Sequence, residues 1–81
     1  MTKEQLYELI KILLKNGISF GFDDTVNKFM VYDDVVEITV YDKDLGEAIK
    51  KFVIAVSDRY SNNFVKKLFK IAGMQEKYYE N

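Results

Sequence analysis

The spacing of apolar side chains changes twice along this chain, and that change limits its fold more than any other feature. Over residues 2–16, Leu6, Leu9, Ile10, Leu13 and Leu14 recur at the spacing of one helical face. From residue 18 the period falls to two. Ile18, Phe20 and Phe22 alternate with Ser19 and Gly21, and further alternating runs cover 26–32 and 35–41. Helical spacing then returns. Leu45, Ile49, Phe52, Val53 and Val56 share one face up to about Tyr60, and Phe64, Val65, Leu68, Phe69 and Ala72 share another.

Local signals punctuate these elements. Thr2 with Gln5 fits a capping box, and Asn16-Gly17 supplies a helix stop. Asp23-Asp24-Thr25 is turn material, and Asp33-Asp34 suits a two-residue hairpin turn. That turn pairs Phe29 with Ile38 and Val31 with Val36 on one face. It sets Lys28 against Thr39, Met30 against Glu37, and Tyr32 against Val35 on the other. A one-residue slip would mix apolar and polar side chains, so the pattern supports the hairpin. Asp44 with Glu47 caps the next helix, and Ser61-Asn62-Asn63 separates it from the last, which frays near Tyr78-Tyr79. The expected fold is α+β in the order α-β-β-β-α-α: a three-stranded antiparallel meander covered on one face by three helices, with residues 1–81 in a single domain.

Absent residue types exclude much chemistry. There is no cysteine, which removes disulfides, thiolate zinc sites and cysteine nucleophiles, and no histidine, the commonest proton shuttle and metal ligand. Gly17, Gly21, Gly46 and Gly73 are too scattered for a phosphate loop. Ser57 and Ser61 lack a partner base. Asp42-Lys43-Asp44-Leu45-Gly46 begins like a calcium loop, but a ligand is missing and the glycine comes one position early, so these acids read as turns and caps. The expectation is a protein without enzymatic activity or cofactor. No apolar run approaches the roughly 20 residues of a membrane span. The capped polar start is unlike a signal peptide, which points to the cytoplasm.

Net charge is −1, but it is unevenly spread. Residues 21–47 hold eight acids against Lys28 and Lys43, while the C-terminal part is basic. On the expected register the open sheet face carries Met30, Tyr32, Val35 and Tyr41 among Lys28, Glu37 and Thr39. Together with Asp23, Asp24, Asp33 and Asp34, these residues suit a protein partner with a basic surface. Two alternatives stand beside this. Lys50, Lys51, Lys66, Lys67 and Lys70 could meet nucleic-acid phosphates, and the sheet face or an unpaired edge strand could form a homodimer.

The element order over residues 2–60 resembles the double-stranded-RNA-binding domain, a family whose second helix meets phosphates with a lysine-rich start. Here that start reads Asp42-Lys43-Asp44-Leu45-Gly46-Glu47, which repels phosphate. In size, element order and the acidic stretch Asp23 to Glu47, the whole chain resembles small phage-encoded anti-CRISPR proteins. That resemblance implies an acidic plug, acting in the host cytoplasm, that occupies the DNA-binding surface of a defence nuclease. The basic C-terminal part departs from that pattern.

Overall fold

Leu9, Phe29, Phe52 and Phe69 have no exposed surface, and each comes from a different element. A computed structural model describes residues 2–32, 37–60 and 63–74. Its elements are α1 (Thr2–Lys15), β1 (Phe20–Asp23), β2 (Lys28–Tyr32), β3 (Glu37–Tyr41), α2 (Leu45–Arg59) and α3 (Phe64–Ile71). The strands form one antiparallel sheet in the order β1-β2-β3. The helices lie over one of its faces: α2 packs directly on β3 and β2, and α3 closes the layer against α1 and α2. The fold is the expected α+β arrangement.

Core formation follows from the two periodicities. Phe29, Val31 and Ile38 point from the sheet into the helical layer and are buried. Phe29 stacks on Phe52 of α2 at 4.7 Å between ring centroids and meets Phe22 of β1 at 4.6 Å. This column of three rings ties α2 to the central strand and the edge strand.

The register of β2 on β3 differs from the expected one. Phe29 pairs with Val40, Met30 with Thr39, Val31 with Ile38, and Tyr32 with Glu37. This register does not centre on Asp33-Asp34, as the expected two-residue turn requires. The displacement is two residues, which keeps every side chain on its expected face, so alternation alone cannot distinguish the two registers. Val35, Val36 and the Asp33-Asp34 pair lie outside the described residues. The strand expected over 26–32 begins at Lys28. Asn27 takes a left-handed φ of 51°, and its amide donates to the Lys43 carbonyl at 2.9 Å.

Helix ends show which local signals operate. Gly17 has φ 69°, its N–H bonds the Leu14 carbonyl, and the Ile18 N–H bonds the Leu13 carbonyl, with Leu13 and Ile18 both buried. This doubly bonded helix stop holds Ile18 outside β1, which begins at Phe20 rather than residue 18. Asp44 caps α2 as expected, accepting from the Glu47 N–H at 2.9 Å. Asn63 precedes α3 but makes no side-chain cap. Gln5 forms no capping box: its amide reaches across to donate to the Ile71 carbonyl at the end of α3, at 3.0 Å. That carbonyl belongs to the last turn, where no intrahelical donor remains. The fraying expected near Tyr78-Tyr79 lies outside the described residues.

Candidate functional site

Opposite the helical layer, the pleat of the sheet presents a second set of side chains. Across the strands, Asp23, Lys28 and Tyr41 form one row, Gly21, Met30 and Thr39 the next, and Tyr32 and Glu37 a third. Tyr32 is 57% and Tyr41 64% exposed. Glu37 and Thr39 are exposed, while Lys28 and Met30 are half-buried.

Gly21 shapes the middle of this face. A Cβ at Gly21 would meet the Met30 methyl at 3.5 Å and the Tyr32 ring at 3.6 Å. Both side chains therefore lean over the glycine, and the Tyr32 hydroxyl donates to the Met30 sulfur at 3.1 Å. A ring and a thioether laid over bare backbone give a flat, semi-rigid apolar surface.

The structure separates acids that the sequence groups together. Asp23 and Asp24 sit where β1 turns into β2, at the end of the sheet that carries Lys28 and Tyr41. Glu37 lies at the opposite end beside Tyr32, about 13 Å away along β2. Met30, Tyr32 and Glu37 come together, and Asp23, Lys28 and Tyr41 come together. Asp33, Asp34 and Val35 lie outside the described residues.

Several carboxylates are occupied locally. Asp23 accepts from the Thr25 hydroxyl at 2.6 Å and the Thr25 N–H at 3.0 Å, and these bonds hold its pKa below the usual carboxylate value. Asp42 accepts from the Asp44 N–H at 2.9 Å and pairs with Lys51 at 2.8 Å. The Lys51 contact is the larger cause of its lowered pKa, and the Lys51 ammonium is raised in turn. These are turn and cap geometries. Among the described residues no group of three or more acids converges on a metal position.

The lysines divide in the same way. Lys50 pairs with Glu47 at 3.5 Å and Lys51 with Asp42, so both face acids on or beside α2. Lys66, Lys67 and Lys70 are exposed on one side of α3, opposite Phe64, Val65, Leu68 and Phe69, with no ion pair to a described residue. They lie across the helical layer from the tyrosine-bearing face.

One exposed apolar feature escapes the sequence pattern. Leu14, expected on the buried face of α1, is 65% exposed, and Tyr7 is 59% exposed. Leu14 is eight residues from Leu6 and so rotated about 80° from it, off the arc that α1 buries. A helical wheel places Tyr7, Ile10 and Leu14 together; Ile10 packs partly against the core, while Tyr7 and Leu14 stay exposed. Among the described residues no helix is long and apolar enough to cross a membrane. Comparison with known protein families, curated proteins and solved structures finds no match to this chain.

Proposed function

We propose that this chain is a non-enzymatic protein-binding module that engages its partner through the open face of the sheet. Tyr32 and Tyr41 act as anchors, Met30 as an adaptable apolar contact, and Glu37, Asp23 and Asp24 as acidic positions toward a basic partner. The observation that carries this reading is the exposure of Tyr32 and Tyr41 on one face of paired strands, with Met30 and Thr39 between them. Tyrosine and methionine are enriched at interfaces, tyrosine because it buries a large area at low entropic cost and methionine because its unbranched thioether adapts to the partner. Acids at both ends of the face favour a basic surface and speed encounter with it. On this reading the chain inhibits a host defence nuclease by covering the basic surface that the nuclease uses for nucleic acid.

The test is charge reversal. Asp33, Asp34 and Glu37 changed to lysine should weaken binding to a captured partner, more at low salt than at high salt. Unchanged affinity in a folded variant contradicts the reading.

A second reading rests on Lys66, Lys67 and Lys70, which line one exposed side of α3 and pair with no acid among the described residues. It makes the chain a nucleic-acid binder through that helix. Titration against duplex RNA and DNA at two salt concentrations separates the readings, since phosphate contacts make affinity fall steeply with salt. Absence of salt-sensitive binding rejects it.

A further inference from the structure

Asn16 and Gly17 stand side by side at the end of α1, the one place in the sequence where glycine follows asparagine. That pair carries a chemistry of its own. The backbone nitrogen of the second residue can attack the side-chain amide carbon of the first and close a five-membered ring. A Cβ on the second residue obstructs that approach, and glycine has none. Asn27 is followed by Lys28, Asn62 by Asn63 and Asn63 by Phe64. Asn16 and Gly17 are both exposed, and nothing lies within 4 Å of where a Gly17 Cβ would be, so water and hydroxide reach the pair.

The helix stop restrains both reacting groups. The Gly17 N–H donates to the Leu14 carbonyl at 3.0 Å, so the nitrogen that must lose its proton holds it in a hydrogen bond. The Asn16 amide nitrogen, which is the leaving group, donates to the Ile12 carbonyl at 2.8 Å, and this draws the side chain back along α1. The Ile18 N–H bonds the Leu13 carbonyl at 3.0 Å, and the burial of Leu13 and Ile18 closes the stop. Ring closure therefore requires these bonds to open first. Helix ends open at a lower free energy than the core, so the fold slows the reaction without forbidding it.

We propose that Asn16-Gly17 is a self-modification site held in check by the α1 stop, with water as the co-reactant. When the stop opens, hydroxide takes the Gly17 N–H proton, and that nitrogen bonds to the Asn16 Cγ. The Cγ–Nδ2 bond breaks, and Nδ2 takes a proton from water and leaves as ammonia, which restores the hydroxide. A second water opens the ring at either carbonyl and leaves aspartate or isoaspartate at position 16. Either product weakens the stop. The new carboxylate lacks the donor that Asn16 gives the Ile12 carbonyl, and its charge sits at the negative end of the helix dipole. Isoaspartate also adds a carbon to the main chain, which shifts the Gly17 and Ile18 N–H groups away from the Leu14 and Leu13 carbonyls. Ile18 then loses its hold in the core, and Ser19, whose carbonyl accepts from the Tyr32 N–H at 2.8 Å, is displaced with it. The modification thus loosens the junction between α1 and the sheet.

The test is incubation of the whole chain at mildly alkaline pH, folded and in concentrated urea, with peptide mapping by mass spectrometry at intervals. In urea, Asn16 should convert ahead of every other asparagine. In the folded chain its conversion should be slower by more than about tenfold. Ile18→Val trims the buried contact of the stop by one methylene. It should speed the folded reaction about two- to tenfold and leave the rate in urea unchanged. The converted chain, separated on ion exchange by its added negative charge, should denature at a lower midpoint than the parent. Four results overturn the proposal: another asparagine converting first in urea, equal Asn16 rates with and without urea, a folded rate unchanged by Ile18→Val, or a converted chain as stable as the parent.

Discussion

The Tyr32 hydroxyl donates to the Met30 sulfur at 3.1 Å, and both side chains lie over Gly21 on the solvent side of the sheet. The two residues follow one another on the same face of β2, so this contact sets the shape of the surface proposed to meet a partner. Gly21→Ala adds a Cβ at ordinary van der Waals distance from both. It should raise stability by about 0.5–1 kcal/mol by restricting the unfolded chain. Gly21→Ile should instead displace the Tyr32 ring. Chemical denaturation reads the first effect, and the Tyr32 ring resonances in NMR read the second.

Phe29 is the packing centre. It has no exposed surface and lies between Phe22 and Phe52. Phe29→Ala should cost about 3–5 kcal/mol, a large part of the roughly 5–15 kcal/mol available to a domain of this class. The loss should appear as a lower denaturation midpoint. Phe29→Leu, which fills most of the volume, should cost markedly less.

Much of the fold was legible because the two hydrophobic periods are clean. Phe29, Val31 and Ile38 announce one face of the sheet, and Tyr32 and Tyr41 announce the other. What alternation leaves open is the register within one face, since a shift by two residues preserves it; that is why Val31 pairs with Ile38 rather than Val36. Asp44 was readable as a cap because its target lies three residues away. Gln5 was not, because its acceptor on Ile71 is distant in sequence and the nearer pairing with Thr2 fits a known motif. The acidic stretch misled in another way. Closeness in sequence suggested one patch, but the strand direction carries Asp23 and Glu37 to opposite ends of the sheet. Tyr7 and Leu14 are present in the helical pattern of α1, yet their exposure is a property of the tertiary arrangement.

The Gln5 amide to the Ile71 carbonyl joins the start of α1 to the end of α3. Gln5→Ala removes the donor and leaves a partly buried carbonyl short of a partner, at a cost of about 1–2 kcal/mol. Hydrogen exchange should speed most in the last turn of α3, including the Ala72 and Met74 amides that bond back into it. Uniform acceleration across the chain would contradict the local role.

The Asp42–Lys51 pair gives a pH signature with a defined sign. The Lys51 hydrogen bond, with help from the Asp44 N–H, holds the Asp42 pKa below its ordinary 3.8. Its stabilisation is therefore complete above that value and is lost as pH falls through the lower folded-state value. The Lys51 pKa is raised above 10.5 by the same contact, so its share is complete below that value and is lost as pH rises through the higher one. Between these limits the contribution is flat. Asp42→Asn should lower the denaturation midpoint at neutral pH and flatten its dependence at both extremes. An unchanged profile contradicts the pairing.

The proposed role of the open sheet face is tested most directly by parallel affinity capture from a lysate of the cells in which the chain is made. Three forms of the chain serve as bait: the parent, Tyr32→Ala with Tyr41→Ala, and Lys66→Glu with Lys67→Glu and Lys70→Glu. Quantitative mass spectrometry then compares what each retains. The expected result is a specific protein with a basic surface, retained equally by the parent and the α3 variant and lost from the tyrosine variant. Equal retention by the tyrosine variant, or loss confined to the α3 variant, would contradict the assignment of function to this face.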